Sequence, residues 1–470
     1  MAVSSKANIP YKMKKQNADT LTPIIIFNRL SGKKRFLLES TVHHDKKGKF
    51  SFIGTDPYQE IMGSGQETID THHEKQTKIT VKQNPLDYLK KQLPKLNLDL
   101  PLPFYGGAIG YIGYDAIRSY EDIGEDLPDD INMPDIHFML FKNIIVFDHK
   151  KEEIYLIATN PDGETEDMLE KRLEALNRKL AEPKSEQPSQ QQQLQFQTEI
   201  SKESFLKKVQ QAKNHILKDE VLQVVLSQRM KAKMHGEAFS FYRMLRKSNP
   251  SPYMFYIDFE SYILLGASPE SLIHSKGKHV ITNPIAGTRP RGKNHTEDEA
   301  LTRELLADKK EIAEHRMLID LSKRDLGKVC ETDSITVPTY MEIEKYQHVM
   351  HIVSEVKGKL KKDHTSFDAL ISCLPAGTVS GSPRLRAMQI INELEEKKRG
   401  VYAGGIGYIN FNHDINIALA IRSLVIKDNY AYLQTGAGIV YDSTPENEYA
   451  ETMHKAKSLM EVNHAIESVY

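Results

Sequence analysis

The 470-residue sequence predicts an α+β fold. Short apolar runs alternate with turn residues through the first third of the chain, which is the pattern of strands. Apolar residues recur at helical spacing in the second half. The two kinds of segment do not alternate regularly, which argues against a doubly wound parallel sheet. At ~150 residues per domain the length implies two or three domains, ample for a sizeable core.

Taken in order, Ile24–Phe27, Phe36–Leu38, Phe138–Phe141 and Ile144–Phe147 read as strands. Gly107–Ile112 (GAIGYI) is echoed at Gly404–Ile409 (GGIGYI), which suggests glycine-bearing strands at corresponding positions in two sheets. Residues 181–199, AEPKSEQPSQQQQLQFQTE, are rich in Gln, Pro and Ser and read as an interdomain linker or surface loop. Ser201 suits the cap of a helix that carries Phe205, Val209, Ala212 and Ile216 on one face. Val221–Leu226 follows as a strand and Glu297–Leu321 as one helix. Ser382-Pro383 and Thr444-Pro445 each resemble a cap followed by a first helical turn.

Composition excludes several classes of function. Lys+Arg 63 against Asp+Glu 64 leaves a net charge of −1, so no general attraction to nucleic acid or anionic membrane arises. Met1 to Thr20 lacks the apolar run of a signal peptide, and no apolar stretch approaches bilayer length. Cys330 and Cys373 form no CxxC pair, which rules out a disulfide framework or a cysteine-rich metal site. A soluble cytoplasmic protein is expected.

The chemistry concentrates downstream of the Gln-rich segment. Glu311 and Glu314 lie on one helical face, and Glu448 and Glu451 repeat the spacing. Two such helices suit an oxygen-loving cation such as Mg²⁺; solvated helix surface is the alternative. Three glycine loops, 283–292 (NPIAGTRPRG), 376–378 and 435–438, offer backbone N–H groups to an anion. Gly436-x-Gly438 is no dinucleotide fingerprint, since Tyr441 stands where the third glycine belongs. His348 and His351 have the titration range of a general base. No GxSxG, HExxH or Walker loop is present. The residues alone lead to Mg²⁺-assisted chemistry on a small dianion.

The segments NPIAGTRPRG, EIAEH, HVMHIVSEVKG, LPAGTVSGSPRLRAM, YAGGIGYINF and QTGAGIVYDSTPENEYAETMHKA resemble, in order, the serial motifs of the chorismate-utilising enzymes. The resemblance covers roughly residues 20–465 and is to the anthranilate synthase component I branch. It implies two packed β-sheets with helices outside, an N-terminal regulatory and partner-facing domain over 15–180, and a chorismate-binding domain over 200–465. By motif position Glu314 and Glu451 would hold Mg²⁺, with Glu311 and Glu448 close by. Gly287, Thr288, Tyr402, Arg422, Gly436, Ala437, Gly438 and Lys455 match chorismate-binding positions. Glu270 matches the acid that protonates the departing ring hydroxyl, and His351 the group that supports loss of pyruvate, with Thr378 near that step.

Two positions separate the reactions of this family. Isochorismate and salicylate synthases resemble this chain but carry lysine where Gln223 stands. Aminodeoxychorismate synthases carry lysine in place of Ala286. Both positions point to anthranilate synthesis, the opening of tryptophan biosynthesis; aminodeoxychorismate synthase component I is the alternative, and a non-catalytic tryptophan sensor a more distant one. Glu39, Ser40, Pro252, Tyr253 and Met254 resemble the family's L-tryptophan feedback pocket. A ligand gripping both of those segments would bias the placement of the two domains. The chain carries no glutaminase motif, so the resemblance implies a separate glutamine amidotransferase subunit and a hetero-oligomer, by family pattern a heterotetramer. Asp219 and Arg324 depart from the usual Gly and Asn.

Overall fold

The computed structural model describes residues 9–40, 49–182, 194–346 and 349–462. His348 and most of the Gln-rich segment lie outside the described residues. Two antiparallel sheets of twelve strands each pack face to face. In the first, the central strands Phe36–Glu39, Tyr253–Asp258, Ile263–Ser268, Ser423–Lys427, Tyr430–Ile439 and Gln223–Lys233 lie side by side in that order. In the second, the order is Ile285–Pro290, Val349–Lys359, His279–Thr282, Ser271–Lys276, Ile415–Leu419, Gly405–Asn410, Gly107–Ile112 and Ile136–Phe141, continuing to the edge hairpins at Gln59–Val81. Both sheets therefore take strands from either side of the Gln-rich segment. Gln197–Thr198, at the end of that segment, is itself a short strand on Gln223–Lys233.

The shared core is apolar and aromatic. Phe36 and Phe52 of the first sheet meet Phe141 and Tyr408 of the second at ring-centroid distances of 4.8 and 5.6 Å. Helices cover the outer faces; Glu166–Ala181 buries Leu169, Leu173, Leu176 and Leu180 at helical spacing. Ser201 caps the helix Lys202–Leu217 as expected, its hydroxyl accepting the Ser204 N–H. Among the described residues no helix is long and apolar enough to cross a membrane.

Four local expectations are corrected. Ile24–Phe27 is helical, because Pro23 occupies the first turn of Pro23–Arg29 and Thr22 caps it. The stretch 297–321 is two helices, His295–Ala307 and Lys309–Val329, divided where Asp308 accepts the N–H groups of Lys310 and Glu311. Pro383, not Ser382, caps Arg384–Leu394; Ser382 pairs instead with Gln223. The GAIGYI and GGIGYI runs are direct neighbours in one sheet, with Gly110 opposite Gly407.

Asp219 adopts a left-handed backbone (φ 58°), a conformation that glycine favours and aspartate tolerates, so the departure is accommodated locally. Arg324 sits exposed on Lys309–Val329. At Gly110 a Cβ would stand 2.0 Å from the His137 carbonyl oxygen on the next strand, so the ladder there admits only glycine. Gly110→Ala is expected to destabilise the fold by about 2–3 kcal/mol, measured by urea unfolding.

Candidate active site

The chain passes from one sheet to the other between Ser268 and Ser271, and Glu270 lies on that crossing. Its carbonyl accepts the Leu419 N–H at 2.9 Å. The Ser268 hydroxyl bonds the Leu419 carbonyl at 2.7 Å, which pins the turn. The Glu270 side chain is buried, and burial pushes its carboxyl up to about 7. Thr378, on the short turn Gly377–Val379, donates its hydroxyl to Glu270 Oε1 at 2.9 Å. That bond and the positive Lys455 pull the carboxyl back down. Near neutral pH the group therefore holds a proton it can release.

His351 stands on Val349–Lys359 opposite Thr288 of Ile285–Pro290. Its Nδ1 lies 3.0 Å from both the Gly287 carbonyl and the Thr288 hydroxyl. The carbonyl can only accept, so Nδ1 carries the hydrogen and Nε2 keeps its lone pair. Burial lowers the His351 pKa, and the nearby Arg422 adds to this, so the ring is neutral and basic near pH 7. Gly287 makes the bulge that permits this geometry, with φ 65° and a Cβ position only 3.0 Å from Leu305.

The glycine loop of Tyr430–Ile439 pairs with Gln223–Lys233, with Gly436 opposite Ser227, Ala437 opposite Leu226 and Gly438 opposite Val225. A Cβ at Gly436 would sit 2.8 Å from the Tyr402 hydroxyl, and one at Gly438 2.6 Å from Gln223 Nε2. These glycines keep the floor open to close neighbours. Lys455 donates to the Gly436 carbonyl at 2.9 Å and pairs with Glu451 at 2.7 Å. Arg422 is half-buried and bonds neutral groups, the Lys455 carbonyl at 3.0 Å and the Ser458 hydroxyl at 2.8 Å. Among the described residues it has no carboxylate partner, and a guanidinium without a counter-charge suits an anion brought by a ligand.

The glutamates converge from two helices, Lys309–Val329 and Pro445–Met460. Burial raises the Glu314 pKa, and repulsion from Glu311 and Glu451 adds to it, while a hydrogen bond with Gln223 opposes the rise. Glu448 Oε2 is buried without a partner among the described residues. The donor set is of the all-oxygen kind that suits Mg²⁺, but no three of these carboxylates lie within ligating distance of one another. A separate acidic triad, Glu74, Asp162 and Glu164, is close enough to ligate an ion. The Lys142 ammonium already fills it at 2.8, 3.1 and 3.0 Å.

A cleft lies between the sheets and is lined by Glu39, Ser40, Pro252, Tyr253 and Met254. The sequence did not single out its remaining walls, which include Phe50, Phe52, Tyr408 and Asn416. Glu39 Oε2 accepts from Tyr242 at 2.8 Å and Arg246 at 2.9 Å, while buried Oε1 has no partner among the described residues. Glu39 and Met254 face each other on adjacent strands. The expectation of a ligand bridging two movable domains is therefore corrected: both segments belong to one sheet.

The family model for chorismate-binding enzymes matches residues 33–461. The chain is 43% identical over 459 residues to anthranilate synthase component 1 of Lactococcus lactis subsp. lactis (strain IL1403), covering 96% of this chain and 99% of that protein. This chain belongs to the anthranilate synthase component I family of chorismate-binding enzymes. It is also 42% identical to the component 1 of Acetivibrio thermocellus, across 94% of this chain and 93% of that one. The crystal structure of anthranilate synthase component I from Streptococcus pneumoniae TIGR4 superposes with a TM-score of 0.83 at 42% identity, covering 94% of this chain and 98% of that chain. The expected two-sheet fold with outer helices is thereby met.

Sequence reading missed Ser268, which pins the Glu270 turn, and Glu395 and Arg399, which lie behind Tyr402. Arg399-Gly400 stands one residue ahead of the YAGGIGYINF motif, with Val401 between, and that proximity was the available signal. A pH titration of the Glu270 carboxyl by isotope-edited infrared spectroscopy should give a midpoint near 7. Thr378→Val removes a bond to the charged form and should raise that midpoint by about one unit. An unmoved midpoint would show that Thr378 does not tune the acid.

Proposed function

We propose that the chain converts chorismate and ammonia to anthranilate, pyruvate and water. The observation that carries this reading is that one sandwich holds two oppositely tuned groups: Glu270, whose carboxyl burial pushes up to about 7, and His351, whose pKa burial lowers and whose Nδ1 the Gly287 carbonyl holds. Ammonia adds to the ring carbon beside the carboxylate as the ring hydroxyl leaves. Glu270 supplies the proton that turns that hydroxyl into water, and the new ammonium centre gives one up. His351 Nε2 then takes the ring proton beside the amine, the enolpyruvyl C–O bond breaks, and the side chain departs as pyruvate. Arg422 pairs with a substrate carboxylate, and Gly436, Ala437 and Gly438 let the ring lie close to the backbone.

Glu314 and Glu451 would hold Mg²⁺, which when bound neutralises the ring carboxylate. Ala286 and Gln223 offer no amine to compete with ammonia. Ammonia would come from a glutamine amidotransferase subunit, and the relatives' designation as component 1 supports a partner of that kind.

The inter-sheet cleft is proposed as the L-tryptophan feedback site. Glu39 Oε1 suits the ammonium of an amino acid, and the apolar walls suit an indole. Asn416 and Ala418 line this cleft on the same strand as Leu419, whose N–H holds the Glu270 carbonyl. A ligand that displaces this strand would act on the acid directly. Chorismate must in turn weaken tryptophan binding by the same factor.

With chorismate, Mg²⁺ and ammonium at alkaline pH, the purified chain should produce anthranilate fluorescence; with glutamine in place of ammonium it should produce none. Glutamine-dependent turnover by the isolated chain would contradict the separate-subunit reading. His351→Met should retain amination and accumulate aminodeoxyisochorismate, seen by chromatography of the reaction mixture. Ser40→Phe should fill the cleft and raise the tryptophan concentration for half-inhibition at least tenfold, with uninhibited turnover near that of the parent. Equal sensitivity to tryptophan in both proteins would move the feedback site elsewhere.

A further inference from the structure

We infer that Arg399 is a positioning residue of the active site, whose guanidinium holds the Thr378 turn, the strand Gln223–Lys233 and the Tyr402 ring in one arrangement. The inference rests on the reading of Glu270 and Thr378 as the proton-donating pair.

Arg399 is buried at 4% exposure, and all of its polar contacts are internal. Nη1 donates to the Val379 carbonyl at 2.7 Å, one residue beyond Thr378. Nη2 donates to the Val225 carbonyl at 2.7 Å, and Val225 is the register partner of Gly438. Nε and Nη2 also form a two-pronged pair with Glu395, at 2.8 and 2.6 Å. The guanidinium carbon lies 5.7 Å from the Tyr402 ring centre and 4.7 Å from that of Tyr114.

Each partner is held in turn. Glu395 Oε1 accepts the Ser227 N–H at 2.9 Å and hydroxyl at 2.8 Å, and Gln434 donates to that hydroxyl at 2.8 Å. Gly400 is clasped by the N-terminal half, through Asp115 Oδ2 on its N–H at 2.9 Å and the Tyr114 N–H on its carbonyl at 2.8 Å.

This arrangement is hard to explain by stability. A buried ion pair is often no more stabilising than apolar side chains of the same volume. Only the planar guanidinium, with five donors in a fixed fork, can reach a carboxylate and two carbonyls of separate segments at once. A lysine ammonium has three donors and no fork. What Arg399 adds is therefore geometry. It sets where the Thr378 hydroxyl stands relative to Glu270, and a displacement of about 1 Å at such a site costs orders of magnitude in rate.

The Glu270 titration reads this out. The groups that act on Glu270 are the Thr378 hydroxyl and the Lys455 ammonium, both of which favour its charged form. Loosening the Thr378 turn weakens the first, so the midpoint moves upward. In Arg399→Lys the midpoint should rise by about half to one pH unit, and kcat should fall about tenfold. The double variant Arg399→Lys/Thr378→Val should sit no higher than Thr378→Val alone, because both changes act through one bond. Where Arg399→Lys does not fold, Arg399→Gln/Glu395→Gln removes both buried charges together and should give the same upward shift.

A lowered Tm with the parent's midpoint would make Arg399 a structural residue only and overturn the inference. Shifts that add in the double variant would also overturn it, since Arg399 would then act by another route. A midpoint near the ordinary carboxylate range in the parent protein would count against Glu270 as the acid, and is thus separable from a failure of Arg399 alone.

Discussion

At one of its crossings from sheet to sheet the chain uses two residues, Pro269 and Glu270, and the surroundings of the Glu270 carboxyl depend on this crossing. A crossing so short places its side chain between two apolar layers, where water cannot stabilise a charge. Its backbone is satisfied by Ser268 and Leu419, so no extra donors converge on the carboxylate. What remains is one hydroxyl and the field of one lysine, and burial outweighs both. Elsewhere in the same fold the balance is reversed. Glu60 is also buried, but His137 and Lys34 bring it down to about 2. The difference between a stored proton and a fixed charge thus lies in the partners that each crossing or strand allows.

The Glu270 turn and the cleft beside Glu39 share the sandwich interior. The cleft beside Glu39 draws its walls from both sheets, and the strand Ile415–Leu419 runs from it to the Glu270 turn. A ligand seated in that cleft would reach the Glu270 turn without a hinge between lobes. A small shift of one strand between packed layers suffices, because close-packed interiors transmit displacement rather than absorb it.

Much of this was legible in the sequence, for physical reasons that differ by residue. The apolar runs at Phe138–Phe141 and Ile144–Phe147 are strands because no turn or cap interrupts them. Ile24–Phe27 has the same composition, but the preceding Thr22-Pro23 overrides it by starting a helix. Asp308 was read as part of one long helix because aspartate is tolerated there; its capping role appears only once its carboxylate is seen to turn back on the next N–H groups. The glycine echo was visible, but the pairing of the two runs was not, since sequence similarity between strands carries no information about adjacency. In the candidate site, motif positions singled out Glu270, Thr378, Thr288 and His351, which the fold joins in two hydrogen-bonded pairs. They were silent on Ser268, Glu395 and Arg399, which act from behind and whose contacts exist only after distant segments have met.

Those distant meetings bear on how the protein is made. Gly107–Ile112 finds its partner some three hundred residues further on, at Gly405–Asn410, and Phe36–Glu39 waits for Tyr253–Asp258. Neither sheet can close while the ribosome still holds the last quarter of the chain, so the N-terminal strands emerge with unpaired edges and exposed aromatic faces. Long-range antiparallel pairing of this kind is slow and prone to aggregation at that stage. The fold that buries Glu270 this deeply thus leaves one edge of Gly107–Ile112 open until Gly405–Asn410 has been made.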